Sequence, residues 1–159
     1  MDENFFAENH VSLIHRINRI NDEINALYHR ASVKMGLADS EMVILYLLCD
    51  YGSITQRQII QYTGMSKQTL SSAVKRMEQN GWIRHGDESG NRRELLPTTA
   101  GNRMIRDLIL PLMNAEESIF SSWTEDERRR FLQLNEKYRD ALRGVVDSMP
   151  FRDAEHNAE

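Results

Sequence analysis

Residues 54–77, ITQRQIIQYTGMSKQTLSSAVKRM, constrain the fold most, because they hold two short helical patterns that meet at one glycine, Gly64. Thr55 followed by Gln58 is a capping box, which starts a helix at Gln56. Ile59 and Ile60 give that helix an apolar side, and Gly64 suits the left-handed geometry that ends it. Ser66 is a natural N-cap for the next helix. Leu70, Val74 and Met77 then recur four and three residues apart, with Ala73 beside them, so this side is buried. Opposite stand Gln68, Ser72, Lys75 and Gln79, flanked by Thr69, Ser71 and Arg76, with no carboxylate before Glu78. A solvated helix face usually mixes both signs. A row of short hydrogen-bonding and cationic groups is what reading base edges in a major groove requires. The spacing predicts a helix-turn-helix with Ser66 to Asn80 as its recognition helix.

The stretch after this helix reads as a wing. Asn80-Gly81 stops the helix, Trp82 to His85 forms a short strand, GDESGN (86–91) turns, and Arg92 to Leu96 returns. Arg92 and Arg93 fall at or just past the tip, where guanidinium groups can enter the negative minor groove. Thr55, Gln56 and Arg57 start a helix and suit backbone phosphate.

Long amphipathic helices flank this unit. Leu13, Ile17, Ile20, Ile24 and Leu27 form a stripe that ends at Gly36. Met42 to Cys49 is apolar almost all round and predicts a central buried helix, while Ile54 suits a short strand. Thr98 or Thr99 caps a helix striped by Met104, Leu108, Leu112, Ala115 and Ile119, with a kink expected at Pro111. Thr124 with Glu127 opens a last helix carrying Phe131, Leu134, Tyr138, Leu142 and Val145. The stripes offer more apolar surface than a chain of 159 residues readily hides, so a homodimer is expected. The expected fold is mainly α with a small β wing: a winged helix-turn-helix flanked by N- and C-terminal dimerisation helices. Its divisions are an arm and dimerisation helix (1–35, with Phe5 and Phe6 as anchors), a DNA-binding region (36–100), C-terminal dimerisation helices (101–149) and a polar tail (150–159).

The net charge of −4 argues at first against nucleic acid, but its distribution matters more. Residues 55–106 hold nine Lys/Arg against four Asp/Glu, which leaves eleven against twenty elsewhere. Phosphate contact needs local cations, not a basic whole. The longest apolar run, Met42 to Cys49, is far short of the roughly 20 residues of a membrane span. No signal peptide is visible and the single Cys excludes an internal disulfide, so a cytoplasmic protein is expected.

With these residues in place, the sequence resembles the MarR family, the multiple-antibiotic-resistance-type bacterial regulators, over about residues 10–148. MSKQTLSSAVKRMEQNGW (65–82) is similar to the family's recognition helix and its exit, with Met77 where Leu is usual. Asn91-Arg92-Arg93 and Pro97-Thr98-Thr99-Ala100-Gly101 are similar to its Asp-x-Arg turn and following Leu-Thr-x-x-Gly. Asn91 and Pro97 depart from that pattern, and Asp87 is an alternative brace for the wing arginine. The resemblance implies a homodimer joined through its first and last two helices on promoter DNA, with release by a small-molecule effector in a cleft between the dimer and DNA-binding parts as a further expectation. Tyr28, His29, Tyr46 and Tyr51 are the cleft candidates.

Within the predicted interface, Ser66, Lys67, Gln68, Thr69, Ser71, Ser72, Lys75 and Arg76 face the major groove. Gln68 suits adenine in a bidentate manner, while Lys75 and Arg76 suit phosphate. No enzyme signature is present: there is no phosphate loop, no Gly-x-Ser-x-Gly and no His-Glu-x-x-His. No cofactor is expected, nor a metal, since the five His are scattered without ligand spacing. Cys49 lies among leucines and reads as inert core. Two other readings remain: a winged-helix protein-interaction module without DNA binding, and a dimer that sequesters a ligand.

Overall fold

The computed structural model describes residues 12–86 and 94–150. The expected N-terminal arm, the wing tip with Asp87, Asn91, Arg92 and Arg93, and the tail from Phe151 lie outside them. The chain divides into two compact units, Met1–Leu112 and Met113–Glu159.

The first unit begins with α1 (Leu13–Met35), which ends at Gly36 and packs against α2 (Asp39–Tyr51). Next come β1 (Ile54–Thr55), α3 (Gln56–Thr63), α4 (Lys67–Gln79), β2 (Ile83–His85) and β3 (Glu94–Pro97). Helix α5 (Thr99–Met104) then passes into a π-helical turn, Ile105–Ile109, and α6 (Leu110–Ile119) carries the chain into the second unit.

Local chemistry explains these boundaries. The Thr55 hydroxyl accepts from the Gln58 amide at 3.2 Å, and the Gln58 side chain accepts from the Thr55 amide at 2.9 Å, so α3 starts on a complete capping box. Gly64 has φ of 67°, a left-handed conformation that costs a residue with a Cβ about 1 kcal/mol or more. Its amide donates back to Ile60 O at 2.8 Å, and α4 restarts with the Ser66 hydroxyl accepting from the Thr69 amide at 3.1 Å.

The core lies where α2, α4 and the sheet meet. Ile44, Leu45, Leu48, Ile59, Leu70, Met77, Leu95 and Ile109 are almost wholly buried. The sheet is antiparallel in the order β1-β3-β2, with Ile54 opposite Leu95 and Ile83 opposite Pro97. The return strand therefore begins at Glu94, with Gly86 donating to Glu94 O at 2.8 Å, and runs to Pro97 rather than ending at Leu96. Thr98 is the cap of the next helix, its hydroxyl accepting from the Gly101 amide at 3.1 Å.

The interruption expected at Pro111 takes the form of the wider turn just before it. Pro111 has no amide hydrogen and its ring crowds the carbonyl four residues back, that of Asp107, inside the π turn. Ile105 and Ile109 use this turn to reach the core beside α2.

In the second unit, a 3₁₀ turn (Phe120–Ser122) leads to α7 (Glu125–Ser148), capped by a Thr124–Glu127 box. Phe120, Trp123 and Phe131 pack edge to face at this corner, Phe120 to Trp123 at 5.1 Å and Trp123 to Phe131 at 5.3 Å. Among the described residues, no helix is long and apolar enough to cross a membrane.

Candidate nucleic-acid interface

Helix α4 has one side built into the core, through Leu70, Ala73, Val74 and Met77. Its other side is in solvent: Lys67, Gln68, Ser71, Ser72, Lys75 and Gln79 are all exposed. At about 100° per residue, Gln68, Lys75, Gln79 and Ser72 form the centre of that face. The only carboxylate on the helix, Glu78, lies 3.0 Å from His85 Nε2 and so ties the end of α4 to β2.

Several residues predicted for the interface have a local task as well. Ser66 and Thr69 hydrogen-bond to each other through their hydroxyls at 2.8 Å, inside the cap of α4. Thr55 donates its hydroxyl to the Gln58 side chain at 2.7 Å. Gln56 is half-buried beside it, while Arg57 is exposed. Arg76 is on the flank of α4, and its Nε donates to Glu41 Oε1 on α2 at 2.9 Å. Sequence reasoning missed Glu41 as part of this surface. The signal was an acidic residue in the first turn of the most apolar helix, which reads equally as a dipole partner.

The cleft candidates separate. Tyr28 and Tyr46 line one open cavity of about 360 Å³ between α1 and α2, together with Asn25, Met42, Val43 and Leu47. His29 instead directs Nδ1 at the Asp39 carboxylate, and Tyr51 stacks on Tyr62 at 5.6 Å, both rings exposed. Sequence spacing did not indicate Asn25 or Val43 as lining residues. Their signal was adjacency to Tyr28 and Tyr46 by one helical turn.

The Cys49 thiol is half-buried, and burial, with the neighbouring Asp50 charge, pushes it above the usual thiol range. A thiol held protonated in this way is a weak nucleophile. Among the described residues, no group of three or more His, Cys, Asp or Glu is placed to hold a metal ion.

The model of the MarR family matches residues 35–94, which run from the end of α1 to the start of β3. The HTH-type transcriptional regulator YwoH of Bacillus subtilis, itself uncharacterised, is 24% identical over 124 residues, which are 76% of this chain and 90% of YwoH. Among solved structures, the fold is similar to NMB1585, a MarR family regulator from Neisseria meningitidis. The TM-score is 0.76 at 17% identity, over 86% of this chain and 97% of that one. It is also similar to a MarR family transcriptional regulator from Listeria monocytogenes complexed with 26mer DNA, with a TM-score of 0.70 at 18% identity, over 89% and 98% of the two chains.

Proposed function

We propose that the chain is a MarR-family transcriptional regulator, a reading supported by the match over its winged helix-turn-helix, residues 35–94, and that its homodimer represses transcription by occupying a pseudo-palindromic operator. The observation that carries this reading is the carboxylate-free row on α4, exposed along Gln68, Ser72 and Lys75 while the reverse side is anchored in the core. In this reading Gln68 is the base reader, and Ser71 and Ser72 add hydroxyl contacts. Lys67 and Lys75 hold phosphate, as do Thr55, Gln56 and Arg57 at the start of α3. Arg92 and Arg93 at the wing tip serve the minor groove.

Two features support the dimer. Helix α1 leaves Leu13, Ile20, Ile24 and Leu27 exposed, and α7 leaves Phe131, Leu134, Leu142 and Val145 exposed, in stripes at helical spacing. Such faces within one chain are the mark of an interaction surface, and a second copy covers both in a closed arrangement. Residues 1–35 and 101–149 then serve dimerisation, and 36–100 serve DNA. Two recognition helices so joined meet successive turns of one duplex, roughly 34–36 Å apart. The cavity lined by Tyr28 and Tyr46 is the place for a small-molecule effector, with aromatic and apolar walls that suit an aromatic ligand. The protein acts in the cytoplasm, where its DNA is.

Selection of bound duplexes from a random pool tests the reading. Enrichment of a sequence with two related half-sites is expected. A pool that stays random after repeated rounds would instead favour the protein-interaction module.

A further inference from the structure

Glu41 is one of two carboxylates on the first turn of α2, and its side chain is only 8% exposed. A carboxylate taken out of water stays charged only where its oxygens have partners. Both have one: Oε2 accepts from the Ala38 amide at 2.9 Å, and Oε1 accepts from Arg76 Nε at 2.9 Å. The first bond fixes the carboxylate on its own helix. The second reaches across 35 residues of sequence to the recognition helix.

Arg76 lies about 80° around α4 from Gln68, on the flank next to the buried Ala73 rather than in the outward row. Its guanidinium turns toward α2. Besides this ion pair and the Glu78–His85 contact at its C-terminal end, α4 is held along its length by Leu70, Ala73, Val74 and Met77, whose contacts are non-directional and permit a helix to roll. A charged hydrogen bond is directional, and pairing through Nε fixes one orientation.

We propose that Glu41 and Arg76 are positioning residues that set the rotation of the recognition helix, so that Arg76 serves base reading through Gln68 instead of holding a phosphate itself. The inference rests on the DNA-reading function proposed above. A bidentate contact from Gln68 needs both of its bonds within narrow limits of length and angle, and a small roll of α4 breaks one of them.

The test uses the full chain, the selected duplex and a scrambled duplex of equal length, over a series of salt concentrations. Arg76→Gln, Glu41→Gln and the double variant are compared with the wild type, with thermal melting recorded for each. Each single change should lower the matched-over-scrambled affinity ratio about tenfold, with the double variant no worse than the singles and the salt slope unchanged. A merely structural loss would show in the melt and would weaken both duplexes alike. Glu41→Gln keeps the shape of the side chain and removes a charge that is buried against α2, so it decides the matter even if Arg76→Gln fails to fold. The proposal is overturned if Glu41→Gln reads DNA like the wild type, or if Arg76→Gln weakens both duplexes equally and makes the salt slope shallower by about one, as for a phosphate contact. A wild type without duplex preference would overturn the function itself, and is distinct from both of these results.

Discussion

Nδ1 of His29 lies 2.9 Å from Oδ2 of Asp39, and the same carboxylate accepts the hydroxyl of the fully buried Ser32. The two residues tie α1 to the first turn of α2, on the same turn from which Glu41 holds α4. The Ser32 hydrogen bond foremost, then that of His29, holds the Asp39 carboxyl below the usual carboxylate range.

That depression has a sign. The stabilisation from Asp39 is complete above the unfolded pKa of about 3.9 and is lost as pH falls through the lower folded value. Asp39→Asn should therefore cost stability at pH 7, and its melting curves should converge with the wild type's in strong acid. The side chain is 58% exposed, so screening limits the cost to about 1 kcal/mol or less. A difference that persists unchanged through the acid range would remove the carboxylate from this role.

Gln68→Ala should lower discrimination between matched and scrambled duplexes, by about 1–3 kcal/mol, with little change on the scrambled one. Arg93→Ala, in the segment proposed for the minor groove, should instead weaken binding to all sequences. Mobility-shift titrations on both duplexes separate the two. Equal losses on both for Gln68→Ala would refute its reading role.

Gly101 has a packing reason to lack a side chain. A Cβ there would stand 1.9 Å from the Trp82 carbonyl oxygen, a backbone atom that itself receives the Thr98 amide at 2.9 Å. Gly101→Ala should destabilise the fold by about 3 kcal/mol or more, read from chemical denaturation, because the joint between β2 and α5 must open. A wild-type midpoint would show that this joint yields freely.

Leu142 is 45% exposed on α7, so Leu142→Glu should leave the folded chain nearly as stable. It should nonetheless break the proposed dimer. Sedimentation equilibrium should give twice the chain mass of 18.5 kDa for the wild type and the single mass for the variant. Two unchanged dimers would place the interface elsewhere.

The elements legible in the sequence are those made by neighbours in the chain. Thr55 with Gln58, Ser66 with Thr69 and Thr124 with Glu127 bond three residues apart, so spacing alone fixes where α3, α4 and α7 begin. The exposed row on α4 is legible for a similar reason, since the period of Leu70, Val74 and Met77 decides which residues are left outside. The Glu41–Arg76 pair is not legible. It spans 35 residues, and a flanking arginine reads in sequence like any other cation of the face. The fate of His29 was hidden likewise, because its partner is ten residues on, across the turn between α1 and α2. The π turn was seen only through Pro111, whose effect on the carbonyls before it spreads over five residues.

Fluorescence anisotropy of the selected duplex at rising salt tests the central claim most directly, namely that α4 presents a row which meets DNA. The selected duplex should be bound more tightly than its scrambled counterpart, and the logarithm of affinity should fall steeply with the logarithm of salt for both. Equal affinity for the two duplexes, or binding indifferent to salt, would contradict it.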